Sequence, residues 1–327
     1  MTPIRTILNP ALFQGDMSRR GYFEGWYFKL IDGDGKTAAA VIPGVALGGT
    51  PGSQDSHAFV QFILGQQARY FKYGLDSFRA DKRRFRVSIG ENEFSADGIK
   101  LCLGDGAARV EGELRFHDGL PFPTGPVWPG IMGPYGFVPG MECYHGIVSI
   151  RHGISGSLFA EGSQLNFNGG TGYIEKDWGR SFPSAWVWLQ ANHFSDGPAF
   201  LFSVADIPWR RSSFVGFFAF LHLNGRLIRF ATYTGACLVS LNEREGAIHA
   251  EIRQRDRVLA VTARPGLGGL LMAPKNGLMN TAIEETISAT VEVRLLDGGR
   301  TVYEGVSACA GMERYNHETL LKRVTVK

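Results

Sequence analysis

Short apolar runs alternate with turn residues along almost the whole chain. Within each run apolar and polar residues tend to follow a period of two, and Gly, Asp or Asn separates one run from the next. The runs cover residues 56–64, 68–73, 85–89, 98–103 and 108–116, and then 214–223, 226–232, 247–254, 257–263, 288–295 and 300–308. No stretch shows a long, capped helical period. Regularly spaced short strands are typical of antiparallel barrels and sandwiches, so we predict an all-β fold with little helix.

The chain of 327 residues is long enough for two domains. Residues 21–24 read Gly-Tyr-Phe-Glu and residues 172–175 read Gly-Tyr-Ile-Glu, and each motif is followed by a tryptophan, a strand-like run and a turn signal. We interpret this similarity as an internal duplication. The prediction is an N-terminal β domain over 1–165 and a similar C-terminal β domain over 166–327.

Composition limits the classes of partner. The chain has 34 Lys+Arg against 31 Asp+Glu, a balance that does not favour a nucleic-acid partner. Its four cysteines are widely separated, so we expect no metal site and reduced thiols. The opening residues hold no apolar segment of signal-peptide length, and the most apolar window, 214–223, is too short to cross a bilayer. We expect a cytoplasmic protein. The basic run 79–86 is interpreted as a solvated turn, with a transient contact with a membrane surface as the alternative.

The stretch from 186 to 193 has the alternation of a strand. Trp186, Trp188, Gln190 and Asn192 would share one face, with apolar residues on the other. Buried amides need hydrogen-bond partners, and a wall of aromatic and uncharged polar groups is typical of a small-molecule site. We interpret this face as a ligand-facing wall. The alternative is a strand with solvent-facing amides and incidental tryptophans.

Two groups of carboxylates attract attention. Glu24 shares a strand face with Tyr22 and Trp26, so it lies in an aromatic row. If that face is interior, desolvation raises the pKa of Glu24 and keeps it protonated. The alternative is a structural glutamate bonded to a buried arginine or to the backbone. Glu175 and Asp177 flank a lysine, and ion pairing would keep at least one of them ionised.

Two segments are expected to be irregular. Residues 117–141 hold six of the fifteen prolines together with Trp128, which predicts a stiff loop that is either a linker or a lid. Residues 264–285 are rich in Leu and Met, and we interpret them as a linker or as an entrance for an apolar ligand. Cys143 and His145 would share a strand face, but residues two apart on a strand seldom bond directly, so a thiolate pair is the weaker interpretation.

Several of these stretches resemble the tocopherol cyclase family. The resemblance is carried by residues 21–29 and 177–192, and by 271–274 followed by 284–285. It implies a lipocalin-related fold with two β-barrel-like halves. It also implies closure of a prenylated hydroquinone to a chromanol without a redox cofactor, and therefore a hydrophobic small-molecule ligand as the partner.

Acid catalysis is the mechanism that this resemblance implies. A protonated carboxyl delivers a proton to the alkene of the prenyl tail, and the phenol oxygen captures the cation in a site that excludes water. Glu24 and Asp177 are the two candidates for the acid, and the sequence does not separate them. The candidates for binding substrate are Trp26, Trp178, Trp186, Trp188, Gln190, Asn192 and Trp128. Two rival functions stay open: an isoprenoid-binding protein without chemistry, and a hydratase that adds water to a prenyl or carotenoid alkene.

Overall fold

The computed structural model describes residues 4–49, 55–104 and 106–325. Its two α-helices in these ranges are short: α1 (Ile4–Ile7) and α2 (His317–Thr325). The strands are β1 (Tyr22–Ile31), β2 (Ala38–Leu47), β3 (His57–Leu64), β4 (Gln67–Tyr73), β5 (Phe78–Ala80), β6 (Arg86–Ile89), β7 (Asn92–Ser95), β8 (Gly98–Leu103), β9 (Val110–Leu120), β10 (Cys143–Ala160), β11 (Ser163–Asn166), β12 (Gly170–Gly179), β13 (Trp186–Ala191), β14 (Ala199–Trp209), β15 (Ser212–Leu223), β16 (Arg226–Ala231), β17 (Cys237–Arg244), β18 (Ala247–Gln254), β19 (Arg257–Arg264), β20 (Gly268–Lys275), β21 (Leu278–Asp297) and β22 (Arg300–Tyr315).

These strands form two sheets of antiparallel pairs. One sheet has the order β4-β3-β2-β1-β12-β10-β9-β8-β7-β6-β5, with β11 beside β10. The other has the order β16-β15-β14-β13-β22-β21-β19-β18-β17, with β20 beside β21. The predicted fold class, two antiparallel β halves with little helix, is confirmed.

The chain divides into two compact units. Unit 1 comprises Met1–Phe182 and Leu271–Ala282, and unit 2 comprises Pro183–Leu270 and Ile283–Lys327. This division differs from the predicted boundary between 165 and 166, because β12 pairs with β1 and so belongs to the first sheet.

The two similar motifs, 21–24 and 172–175, therefore lie largely in neighbouring strands of one sheet, and they do not open two domains. A structural repetition exists elsewhere. The order β4-β3-β2-β1-β12-β10 in unit 1 recurs in unit 2 as β16-β15-β14-β13-β22-β21. The strand that corresponds to β1 is thus β13. A duplication of the gene segment stays a prediction.

Each unit has its own apolar core on one face of its sheet. In unit 1 that core includes Trp26, Phe28 and Ile174. In unit 2 it includes Val187 and Leu189, the residues that alternate with the predicted tryptophan face. Burial of such side chains is the main term that stabilises each sheet, roughly 1.5–3 kcal/mol for each large residue.

The expectation of an irregular segment over 264–285 is wrong. Most of this segment forms the hairpin β20–β21, and its turn residues Asn276 and Gly277 have φ values of 52° and 76°. Asn-Gly is the preferred sequence for a two-residue hairpin turn of this kind. Within unit 1 the side-chain amide of Gln61 exchanges two hydrogen bonds with the backbone of Met272, at 3.0 and 2.8 Å.

The proline-rich segment is mostly irregular, as predicted. Strand β9 extends to Leu120, and the connection to β10 contains the short 3-10 turn Gly133–Phe137 and a tight turn between Gly125 and Trp128. Across the described ranges, no helix combines the length and the apolar character needed to cross a membrane.

Candidate active site

Strand β12 places its consecutive charged residues on opposite faces of the unit 1 sheet. Side chains alternate along a strand, so Lys176 lies on the same face as Ile174, a residue of the unit 1 core. Glu175 and Asp177 lie on the other face. The two candidate acids are separated in the same way, because Glu24 is on the face of Lys176.

Glu24 is fully buried and surrounded by donors. Its carboxylate accepts hydrogen bonds from the backbone N–H groups of Gln14 (2.8 Å) and Gly15 (3.0 Å) and from the hydroxyl of Tyr22. It also forms an ion pair with the fully buried ammonium of Lys176. All four contacts use the carboxylate as an acceptor, and a protonated carboxyl would lose at least one of them. Glu24 is therefore a structural glutamate, which was the alternative interpretation. It is bonded to the backbone and to a buried lysine in place of the expected arginine.

Trp26 and Trp178 surround this ion pair. The ammonium of Lys176 lies 4.6 Å from the ring centroid of Trp26 and 5.0 Å from that of Trp178, and it donates to the backbone oxygen of Leu12. The indole N–H of Trp26 also donates to a backbone oxygen of the N-terminal segment, at 2.9 Å. Burial lowers the pKa of Lys176 to about 8, although the charge of Glu24 acts in the opposite direction. Trp26 is thus a residue of the unit 1 core, and Trp178 lies on the same side of the sheet; their roles in binding substrate stay a prediction.

The other face of β12 carries a cluster of titratable side chains, which we call the His145 cluster: Cys143, His145, Tyr173, Glu175 and Asp177. His145 lies on β10 directly opposite Asp177. Its Nδ1 is 2.9 Å from Asp177 Oδ1, and its Nε2 is 3.4 Å from Glu175 Oε2. The hydroxyl of Tyr173 donates to Glu175 at 2.6 Å, and the thiol of Cys143 lies 3.8 Å from Asp177 Oδ1.

The charges of this cluster set the protonation of the imidazole. Burial lowers the pKa of His145, but the carboxylates of Asp177 and Glu175 outweigh burial and raise the pKa to about 10. His145 is therefore an imidazolium at neutral pH. Burial and the charge of Asp177 raise the pKa of the Cys143 thiol well above its usual range. The weaker interpretation, a Cys143 thiolate paired with His145, is wrong, because Cys143 stays a thiol and interacts with Asp177.

The cluster is compact enough to be considered as a metal site. Ligand atoms of His145, Glu175 and Asp177 lie within 4.8 Å of one another. The imidazole, however, lies between the two carboxylates and presents one nitrogen to each of them. A metal ion would have to displace the proton from one of these contacts. The geometry is that of an imidazolium held between two carboxylates.

Exposure distinguishes the members of the cluster. The side chain of Asp177 is 22% exposed, that of His145 11%, and that of Glu175 5%. Asp177 is therefore the carboxylate that a ligand can reach most easily.

In unit 2 the predicted wall is buried. Trp186, Trp188 and Gln190 lie on the face of β13 that is opposite the unit 2 core, which confirms the predicted alternation. The indole N–H of Trp186 donates to the carboxylate of Glu313 at 2.8 Å. Asn192 is also buried but follows the end of β13. The alternative of solvent-facing amides is thus wrong.

A family model described as tocopherol cyclase-like matches residues 139–314. The match covers more than half of the chain and includes the whole His145 cluster. The chain belongs to the tocopherol cyclase-like family. The family predicted from the sequence is confirmed, and the match spans strands from both units of this tocopherol cyclase-like protein.

Solved structures share its fold. An AttH protein from Nitrosomonas europaea is 14% identical, with 89% of this chain and 92% of that chain aligned at a TM-score of 0.54. CghA, in a structure with Sch210972, is 11% identical, with 90% of this chain and 88% of that chain aligned, and the TM-score is again 0.54. Kievitone hydratase from Nectria haematococca is 10% identical, with 90% of this chain and 89% of that chain aligned at a TM-score of 0.50. At these identities the likeness concerns the fold alone. A comparison with curated proteins gave no match.

Sequence reasoning missed two kinds of residue in this tocopherol cyclase-like chain. His145 was considered only beside Cys143, because the 32 positions that separate it from Asp177 hide their pairing. In unit 2, Glu285 and Glu313 are directly opposite each other on β21 and β22. Residue 285 belongs to the stretch 284–285 that carries the family resemblance, but strand register is a long-range property, so no local signal predicts its pairing with Glu313. Trp128, a predicted binding residue, lies in the connection between β9 and β10 and is 37% exposed.

Proposed function

We propose that this protein protonates the alkene of a prenylated hydroquinone and closes it to a chromanol, with Asp177 as the acid. One observation carries the proposal: Asp177 is the most exposed carboxylate of the His145 cluster, and it is bonded to a protonated imidazole at 2.9 Å. The site thus holds a carboxyl group and a proton next to each other at a surface that a ligand can approach.

The proton would pass through Asp177 and not directly from the imidazolium. An alkene is a very weak base, and an imidazolium with a pKa of about 10 is a poor acid for it. An apolar ligand that covers Asp177 removes water from its carboxylate, which favours the neutral form. His145 then supplies the proton to Asp177, and the neutral imidazole stays beside the carboxylate of Glu175, ready to take the proton back.

The reaction balances without a co-reactant. Asp177 gives its proton to one alkene carbon, and the other carbon becomes a tertiary cation. The phenol oxygen forms a bond to that carbon, and the phenol proton returns to the carboxylate of Asp177. Product and substrate are isomers, so the pair of Asp177 and His145 ends in its starting state.

Two groups of predicted residues take different places in this proposal. Glu24 is left out, because its carboxylate is committed to Lys176 on the opposite face of the sheet. Trp186, Trp188, Gln190 and Asn192 are kept as candidates for binding the ligand, because they are buried and three of them form a strand face that the unit 2 core does not use. Transfer of a prenyl tail from water would contribute roughly 0.8 kcal/mol per buried CH₂.

Deuterated water gives the decisive test. The purified protein is incubated with a prenylated hydroquinone in D₂O, and the products are analysed by mass spectrometry. We expect a chromanol with one carbon-bound deuterium from the wild type, and none from Asp177→Asn. A matched control is Asp297→Asn, because Asp297 pairs with Arg257 on the exposed surface of unit 2. Bound but unchanged ligand with the wild type would leave a binding protein and end the cyclase proposal for this substrate.

Hydration of the alkene is the second candidate. The partial exposure of Asp177 favours it, because water that reaches the acid can also capture the cation. A neighbour of the same fold carries the name kievitone hydratase, which adds a precedent for the scaffold only. The same incubation separates the two reactions, since hydration gives a tertiary alcohol with one carbon-bound deuterium and an unmodified phenol.

A further inference from the structure

A row of directly opposed residues crosses five strands of unit 1 on the face of Asp177. In order, the row is His145, Asp177, Gly25, Gly44 and Phe59. Opposed side chains in such a row point to the same side, with Cβ atoms about 5 Å apart. The two glycines leave the middle of the row without side chains, so a depression separates the acid from the aromatic ring.

The ring of Phe59 is only 1% exposed and fills the part of this depression over Gly44. A Cβ at Gly44 would overlap the ring, so Gly44 is the residue that lets Phe59 lie across β2. The ring also stacks on Tyr70, with centroids 5.4 Å apart, which holds its orientation. Its Cζ reaches to within 3.9 Å of the position that a Cβ on Gly25 would occupy. The ring therefore comes close to the strand position directly beside Asp177.

Gly25 itself is not required by the backbone or by packing. Its φ is not in the left-handed region. Among the described residues, the atom nearest to a Cβ built there is a backbone oxygen at 3.7 Å, an ordinary van der Waals distance. Gly25 is also partly exposed, whereas Glu24 and Trp26 on either side of it are fully buried. The part of the row over Gly25, beside Asp177, is thus partly exposed and bordered by Pro43, Ile42 and Phe59.

We propose that Gly25 is the floor of a ligand subsite, which lies between the carboxyl of Asp177 and the partly exposed side chain of Ile42 and receives the branched end of an alkene. This inference rests on the proposed function and deepens it. The methyl groups of Ile42 border the same space, with Cγ2 at 3.9 Å from the built Cβ. Apart from the acid, the polar atom beside this space is the backbone oxygen of Pro43.

The size of residue 25 sets what can reach the acid. Gly25→Ala adds one methyl group without a clash, so the variant should fold and melt at the same temperature or slightly higher. Gly25→Val fills more of the space. The matched controls are Gly119→Ala and Gly119→Val, because Gly119 is an exposed glycine of β9 that has no atom of the described residues near a built Cβ and a φ outside the left-handed region.

The first measurement does not depend on any substrate. Carboxyl groups of the folded protein are labelled with a water-soluble carbodiimide and an amine, and the peptide that contains Asp177 is quantified by mass spectrometry. We expect labelling of Asp177 in the wild type, a decrease of about tenfold in Gly25→Val, and a smaller decrease in Gly25→Ala, because close-packed sites respond to each added methyl group. Both Gly119 variants should label like the wild type.

The second measurement is product formation in D₂O. Deuterated product should fall about tenfold or more in Gly25→Val and stay near the wild-type level in the Gly119 variants. If the labelling falls but the wild type forms no product, the subsite stands and the proposed function fails. Equal labelling in wild type and Gly25→Val, or no labelling of wild-type Asp177, would overturn the subsite. Should Gly25→Val not fold, the same comparison is decided by Gly25→Ala.

Discussion

Lys176 and Asp177 are consecutive residues of β12, yet their side chains belong to two different environments of unit 1. Lys176 is fully buried in an ion pair with Glu24, and Asp177 is partly exposed and bonded to His145. A shift of one residue in the strand register would exchange the two faces. The strand therefore carries a structural charge and a candidate catalytic charge side by side, and substitutions on the two faces should have separate effects.

Glu24→Gln should destabilise unit 1. The substitution leaves the ammonium of Lys176 buried without a carboxylate, and the loss of one partner of a buried pair costs about 3–5 kcal/mol. The free energy of unfolding, measured in urea, should fall by about that amount. Glu304→Gln is the control, because Glu304 lies 3.7 Å from Arg294 on the exposed surface and should change stability by less than about 0.5 kcal/mol. A loss of stability as small as the control's would show that the pair is not structural.

Asp177→Asn should affect chemistry and leave the fold intact. The amide keeps the size of the side chain but cannot deliver a proton, so the rate of product formation should fall about 100-fold or more. Binding of the prenylated hydroquinone, followed by quenching of tryptophan fluorescence, should stay near the wild-type level. Glu24→Gln, assayed below its unfolding temperature, should keep most of its activity. Equal rates in the wild type and Asp177→Asn would remove Asp177 from the mechanism.

The sequence predicts the elements that depend on local pattern. The alternation from Trp186 to Gln190 gives the correct strand faces, and the aromatic row around Glu24 correctly implies burial. The sequence does not predict which strands lie next to each other in the sheet. The partners of Glu24 and Asp177, namely Lys176 and His145, are fixed by the pairing of β12 with β1 and β10, which is a long-range property.

The hairpin β20–β21 was missed for a different reason. Its apolar Leu and Met residues suggested a ligand entrance, although Asn276-Gly277 is a local signal for a two-residue turn. The similar motifs at 21–24 and 172–175 lie largely in neighbouring strands of one sheet, and the duplication inferred from them stays a prediction. Two strands that lie side by side and are buried on both faces need similar residues, so their likeness does not require two domains.

Cys143 should react slowly with alkylating reagents. Burial and the nearby charge of Asp177 raise the pKa of its thiol, and the thiolate is the reactive form. In native protein treated briefly with iodoacetamide, the exposed Cys237 should be labelled at a rate about tenfold or more higher than that of Cys143. Peptide mass spectrometry gives both rates, and the two should converge in denaturant. Faster labelling of Cys143 in the native state would restore the thiolate interpretation.

His145 should make stability fall as pH rises above neutrality. Its pKa is raised from 6.5 to about 10 in the folded protein, so between these values the folded state holds one proton more than the unfolded state. Stability from this group is therefore complete below pH 6.5 and is lost by about pH 10, with a slope of about 1.4 kcal/mol per pH unit. The difference in unfolding free energy between wild type and His145→Asn isolates this term, because other titrating groups, including Lys176, largely cancel. In the background of Asp177→Asn one carboxylate is absent, so the same decline should end at a lower pH. A difference that is constant from pH 6.5 to 8 would mean that the imidazole between Glu175 and Asp177 is neutral, and it could not then supply the proton.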